Sequence, residues 1–279
     1  MKSMLILSDF SEAAFRAAEY ACKLTAPLQI SRIVLYHAYQ TIITGTDLPV
    51  YVPEGNDKQF YLESMEALGL LHDRVKPMVE NAVKIELLAE DTPLPVRINR
   101  LCKEKDIDFI VIGVSGRSGL GKLLGSTTTE VLKISEFPVL VVPNEALVGR
   151  EIKTIVFTTD LKDISGIPVN QLNTFLEAFK ADMYVVNVKS EAADKYTTEM
   201  EAAITGLHDL LDNYHASFHY ITGDNIVEEV LNFAEQHKAS LIITVPKRHS
   251  FFFALFHKSI SKSLAYNSQI PLVSLPALS

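Results

Sequence analysis

Five apolar runs in the first half of the chain recur in the same order in the second half. Met4–Leu7, Ile33–Ala38, Val83–Leu88, Phe109–Ile112 and Val139–Val142 have counterparts in Lys153–Phe157, Tyr184–Val188, Phe218–Ile221, Leu241–Thr244 and Ile270–Pro276. Each run is short enough to be a buried strand, and helical patterns separate the runs. That alternation builds a parallel sheet with helices on both faces. The repeat is about half the chain, far longer than a solenoid unit. It therefore predicts two copies of one α/β domain, residues 1–146 and 147–279, each with five strands. The join near Asn144–Arg150 is short and polar, so the copies are expected to pack against each other.

Local signals fill in the first copy. Ser11 suits the N-cap of a helix running to about Leu24, with Ala14, Ala17, Ala18, Ala21 and Leu24 on one face. Thr41–Asn56 reads as a loop. Asp57–Glu80 reads as a helix frayed near Pro77, Pro93–Lys105 as another, and Glu130–Ser135 as a third.

Composition removes several classes of function. The formal charge is −8 and no basic stripe is present, which argues against nucleic-acid binding through phosphates. Two lone cysteines, Cys22 and Cys102, make neither a disulfide framework nor a zinc ribbon and read as small core residues in a reducing compartment. Met4–Leu7 is too short for a signal peptide, and no apolar stretch approaches a membrane span. The expectation is a soluble, cytoplasmic protein.

In an open parallel sheet, ligands bind beyond the carboxyl ends of the strands. The first copy places Asp9 after its first strand, His37-Ala38 at the end of its second, and Gly113-Val114-Ser115-Gly116 after its fourth. Gly125-Ser126-Thr127 then opens the next helix. Gly113 and Gly116 would let backbone approach a phosphate, and helix-terminal N–H groups would bind it. Asp9 would accept hydrogen bonds from a ribose or an adenine edge. Each part also has a plainer use: Asp9 as a cap of the first helix, His37 as a hydrogen-bonded structural residue, the glycines as turn formers.

The second copy replaces the glycines. Val245 stands for Gly113, Arg248 for Gly116, and Lys258-Ser259 for Gly125-Ser126. Phe251, Phe252, Phe253 and Phe256 make its loop bulky, either as cover for a vacated cleft or as an apolar ligand pocket. Lys247, Arg248 and Lys258 read as solvated surface. His208, His215 and His219 have helical spacing for a metal, but Ala216–Ile221 reads as a strand and separates them, so no metal site is expected. Neither a nucleophile elbow nor a Walker A turn occurs, and no acid–base pair is positioned for catalysis.

Ile6-Leu7-Ser8-Asp9-Phe10-Ser11-Glu12, Leu35-Tyr36-His37-Ala38 and the Gly-x2-Gly, Gly-Ser-Thr and Pro-Val-Leu-Val-Val series resemble the universal stress protein family, over nearly the whole chain as a tandem pair. The resemblance implies two adenine-nucleotide α-hydrolase-like (Rossmann-like) domains, each a five-stranded parallel sheet sandwiched by helices. It implies ATP, with Mg, in the first copy, since some members bind ATP through this glycine turn and others lack both. Ser8 and Asp9 would face the adenosine and Ala38 would contact the adenine by backbone. Gly113, Ser115 and Gly116 would line the phosphates, with Gly125, Ser126 and Thr127 closing around them. Eight residues separate Gly116 from Gly125, one fewer than in the family pattern. The implied role is a stress-response binding or signalling module, at most a weak ATPase. The alternative is a nucleotide-independent scaffold or apolar-ligand sensor using the Phe251–Phe256 loop. The final strands, Val139–Val142 and Leu272–Leu275, are expected to pair within the chain as a pseudo-dimer, with homodimerisation of the whole chain left open.

Overall fold

The computed structural model describes residues 2–39, 56–114, 126–159, 161, 164–189, 197–245 and 269–277. The first half holds β1 (Lys2–Leu7), α1 (Glu12–Leu24), β2 (Ile30–Tyr39), α2 (Asn56–Val75), β3 (Lys84–Asp91), α3 (Leu94–Glu104), β4 (Phe109–Val114), α4 (Ser126–Ile134) and β5 (Val139–Pro143). The second holds β6 (Thr154–Thr158), α5 (Val169–Phe179), β7 (Asp182–Lys189), α6 (Thr198–Leu211), β8 (Ser217–Thr222), α7 (Ile226–Gln236), β9 (Leu241–Thr244) and β10 (Leu272–Ser274).

The strands lie in the order β3-β2-β1-β4-β5-β10-β9-β6-β7-β8. Each half is a five-stranded parallel sheet with the same winding, and the two are joined edge to edge. At the join β10 runs antiparallel to β5, with Leu272 opposite Val141, Val273 opposite Leu140 and Ser274 opposite Val139. The carboxyl ends of the strands in one half therefore point opposite to those in the other. Any cleft in the first half opens at the opposite end of the strands from its counterpart in the second.

Both faces of the sheet are apolar because both are covered. Met4, Ile6, Ile33 and Leu35 pack under α1 and α2, and Ile155, Phe157 and Val185 under α5 and α6. Leu5, Val34, Ile110 and Val141 pack under α3 and α4, and Val156 and Ile242 under α7. The first of these cores runs through the join: the Phe109 ring meets Phe175 of α5 edge-on at 6.1 Å. Ala17, Ala18 and Ala21 let α1 sit close to the strands, and Ser11 caps it, its Oγ accepting from the Ala14 N–H at 3.2 Å. Burial pushes the Cys22 thiol up to about 11 and the Cys102 thiol up to about 12, so both stay protonated inside the core.

The duplication extends to individual hydrogen bonds. The Ser8 N–H donates to the Tyr36 carbonyl at 2.9 Å, and the Thr159 N–H to the Val186 carbonyl at 3.2 Å. Ser8 Oγ accepts from the Phe10 N–H at 3.1 Å, and Thr159 Oγ1 from the Leu161 N–H at 3.3 Å. Phe10 and Leu161 both take left-handed backbone, with φ of 63° and 56°. His37 and Asn187 then occupy equivalent places: His37 Nδ1 lies 2.7 Å from the Ser8 carbonyl oxygen, and Asn187 Nδ2 donates to the Thr159 carbonyl at 2.8 Å.

Some boundaries differ from the sequence reading. α2 ends at Val75 and a short 3-10 turn, Lys76–Met78, carries Pro77, which cannot donate to a continuing α-helix. β3 continues past Leu88 because β2 continues beside it, pairing His37 with Ala89, Ala38 with Glu90 and Tyr39 with Asp91. α4 starts at Ser126, well before Glu130. The 41–55 loop lies outside the described residues.

Candidate functional site

Strand order reverses between β1 and β4, since β2 and β3 follow on one side and β5 on the other. Beyond such a reversal the connections diverge and leave a crevice. A cavity of about 800 Å³ opens there. Leu7 and Ile112 form its floor, Ser8, Asp9, His37 and Ala38 one wall, Pro93–Val96 at the start of α3 another, and Thr127, Thr128 and Glu130 of α4 the far side.

β2 overhangs β1. The last register pair is Leu7 with Tyr36, after which β1 turns away. N–H and C=O groups alternate sides along a strand. Those of Ala38 therefore point the same way as those of Tyr36, towards the space that β1 has vacated. That side of Ala38 is a donor–acceptor pair open to the cavity.

The turn after β1 is held by its own side chains. Asp9 Oδ1 accepts from the Ser11 N–H at 3.0 Å, which braces the turn without making Asp9 the helix cap; that place belongs to Ser11. Asp9 is exposed, and its second oxygen makes no hydrogen bond among the described residues. Ser8 is buried with its oxygen engaged by Phe10, yet it borders the cavity. The carbonyl of Ser8 can only accept, so His37 Nδ1 carries the hydrogen and the neutral ring presents Nε2 as an acceptor. The Phe10 ring packs against His37 at 4.4 Å between centroids.

A charged chain fixes the wall between β2, β3 and α3. The Tyr36 hydroxyl donates to Glu90 Oε2 at 3.2 Å, and Arg97 grips both Glu90 oxygens at 2.7 and 3.0 Å. Arg97 also reaches Glu104 at 2.7 Å. The hydrogen bonds from Arg97 hold the Glu90 carboxyl below the usual carboxylate range, while burial and the Glu90 charge push the Tyr36 phenol up.

Gly113 requires a correction. It lies inside β4, in register with Val142, not in the turn that follows. A Cβ there would sit 2.2 Å from the Ala13 carbonyl oxygen and 2.9 Å from the Ala14 nitrogen. Its missing side chain thus lets the start of α1 press on the strand, and it borders the cavity as a consequence. In the second half Val245 takes this place. There ten residues separate β6 from α5, against four between β1 and α1.

Thr127 and Thr128 bring the first turn of α4 to the cavity. Its unpaired N–H groups and the positive end of its dipole favour an anion. Ser115, Gly116 and Gly125 lie outside the described residues, and Ser126 is described only as the first residue of α4. Asp160, Lys247, Arg248, Phe251, Phe252, Phe253, Phe256, Lys258 and Ser259 of the second half also lie outside them. The sequence reading placed a helix at Pro93–Lys105 but did not assign its start to the site. Its signal was the strand order: β3 borders β2, so whatever follows β3 emerges at the same end of the sheet.

The second-half histidines separate. His208 of α6 stacks on Phe218 at 3.5 Å and its Nε2 lies 3.2 Å from the Tyr220 hydroxyl. His215 follows a 3-10 turn with φ of 48°, and His219 of β8 sits among Tyr184, Phe233 and His237. Among the described residues no three His, Cys, Asp or Glu side chains are grouped to hold a metal, and no helix is long and apolar enough to cross a membrane.

The strand order, the site at its reversal and the helices on both faces define a doubly wound, Rossmann-like α/β fold present twice. The family model described as "Universal stress protein family" matches residues 1–143. Universal stress protein YxiE of Bacillus subtilis is 30% identical over 143 residues, which is 50% of this chain and 97% of that protein. The structure of a universal stress protein from Archaeoglobus fulgidus superposes with a TM-score of 0.71 at 17% identity, covering 98% of each chain. A Pseudomonas aeruginosa protein of unknown function superposes with a TM-score of 0.56 at 10% identity, covering 99% of this chain and 93% of that one. The chain belongs to the universal stress protein family.

Proposed function

We propose that the cavity of the first half binds an adenine nucleotide, ATP carried with Mg, and that the chain is a stress-response binding or signalling module. The observation that carries this reading is the pairing of two complementary ends in one cavity. At one end the free backbone edge of Ala38 offers a donor and an acceptor to a purine edge, with Asp9 beside it for a ribose. At the other, the first turn of α4 offers N–H groups to a phosphate. The glycine-rich segment between Gly113 and Thr127 connects them in sequence.

Asp9 and Glu130 are the anionic side chains on the lining, and among the described lining residues no lysine or arginine joins them. A polyphosphate entering with a divalent cation suits such a site better than a bare one. Among the described lining residues none is paired as a committed base for hydrolysis, and the reading is one of binding. The unit that binds is residues 1–146. Residues 147–279 form a second copy that does not take ATP in this manner, paired with the first through β5 and β10 as an intramolecular pseudo-dimer in the cytoplasm.

ATP with Mg at about a hundred times its dissociation constant should raise the melting temperature by about 5–10 °C. Gly116→Arg, which copies the residue at position 248 of the second half, should remove the shift by filling the phosphate's space. An unchanged melting temperature in excess Mg-ATP would refute the reading and leave the fold untouched.

A further inference from the structure

We propose that His37 is a further ligand-contacting residue of this cavity and that its protonation makes binding of an anionic ligand proton-linked. The proposal rests on the nucleotide reading above. His37 borders the cavity, and its Nδ1–H is committed to the Ser8 carbonyl at 2.7 Å. The only freedom left to the ring is at Nε2, which holds a lone pair when neutral and an N–H with a positive charge when protonated. Among the described residues that line the cavity, His37 is the one histidine, and no lysine or arginine joins it.

The surrounding charges make that cation matter. Asp9 lies in the β1–α1 turn, Glu12 in the first turn of α1, and Glu130 on α4. β3 brings Glu90 and Asp91 opposite Ala38 and Tyr39, and Arg97 of α3 is already bound to Glu90. α2 starts at this end of the sheet and carries Lys58 and Glu63 at exposed positions. Most of these groups are anionic, and a phosphate brought among them is repelled. Protonated His37 offsets the repulsion, and by linkage the bound anion favours the protonated ring. Binding therefore takes up a proton, and affinity rises as pH falls through the titration range of histidine.

The second half of the chain supplies the control substitution. Asn187 stands where His37 stands and makes the same bond to the preceding strand, at 2.8 Å. His37→Asn thus keeps the strand-end hydrogen bond and removes the titration. The probe is adenosine 5′-methylphosphate, a diester whose single charge is constant over about pH 5.5–8, with uncharged adenosine as reference. Titration calorimetry should show diester affinity rising about five- to tenfold from about pH 8 to about pH 5.5, since one pKa unit of coupling is a factor of ten. It should show proton uptake in buffers of different ionisation enthalpy, no such trend for adenosine, and a flat profile for His37→Asn. NMR should show the His37 titration moving upward when the diester binds. A flat profile in the unaltered protein, a slope that survives His37→Asn, or an unmoved His37 titration overturns the proposal alone. Failure of both probes to bind at any pH overturns the nucleotide reading and the proposal with it.

Discussion

Gly113→Ala should destabilise the protein by about 2–4 kcal/mol and lower its melting temperature by about 5–10 °C. The added methyl would overlap the backbone of α1, 2.2 Å from the Ala13 carbonyl oxygen and 2.5 Å from its carbon. Backbone cannot rotate aside as a side chain can. The start of α1 would have to lift from β4, loosening the Ser11 cap and the buried face of Ala14, Ala17, Ala18 and Ala21. Gly113→Val should cost more. Val245→Gly in the second half should instead cost about 1 kcal/mol, the loss of a partly buried side chain and gain of backbone freedom. Urea unfolding of the variants measures these differences. A loss below about 0.5 kcal/mol for Gly113→Ala would mean that α1 does not rest on β4 as described.

Val273→Asp should be worse, at about 4 kcal/mol or more. β10 is three residues long and sits in the middle of a ten-stranded sheet. Val273 is 1% exposed and faces Leu140 across the antiparallel pair that joins the halves. A carboxylate there has no partner and no water, and neutralising it still leaves a polar group in the apolar core. Because β5 and β10 carry the join, the variant should also unfold in two calorimetric steps in place of one cooperative transition. Leu147→Asp, at a position 51% exposed between the halves, should change stability by less than about 0.5 kcal/mol. A Val273→Asp variant within about 1 kcal/mol of the parent, unfolding in one step, would contradict the described join.

Much of this fold is legible in the sequence because the strands are buried on both faces and so read as unbroken apolar runs. Val34–Tyr36 and Phe109–Ile112 are buried, and no surface pattern obscures them. Helix starts were less legible where polar residues begin them. The sequence reads a helix over Glu130–Ser135 with Gly125-Ser126-Thr127 opening it, whereas α4 takes in Ser126, Thr127 and Thr128 as regular helix although β-branched residues favour helices weakly. The end of β3 was hidden for another reason: Glu90 and Asp91 are strand because β2 pairs with them, a long-range cause that no local pattern carries.

The site was half legible. Asp9, Ala38 and Thr127 border the cavity as the strand-end rule predicts. Gly113 borders the cavity too, but from inside β4, where its missing Cβ also admits the start of α1, and a glycine at the end of a strand looks the same in the sequence in either role. His37 was read as a structural residue, and its bond to Ser8 is indeed structural. That bond commits Nδ1 and leaves Nε2 without a hydrogen bond among the described residues, which only the three-dimensional arrangement reveals.

Native mass spectrometry of the intact chain with ATP and Mg measures how many nucleotides it holds. The two halves share their winding, their strand-end turns and their joined sheet, but the glycine-rich segment lies in the first half alone. One bound nucleotide per chain is the predicted result, lost in Gly116→Arg. Two per chain, or none at saturating ATP, would contradict it.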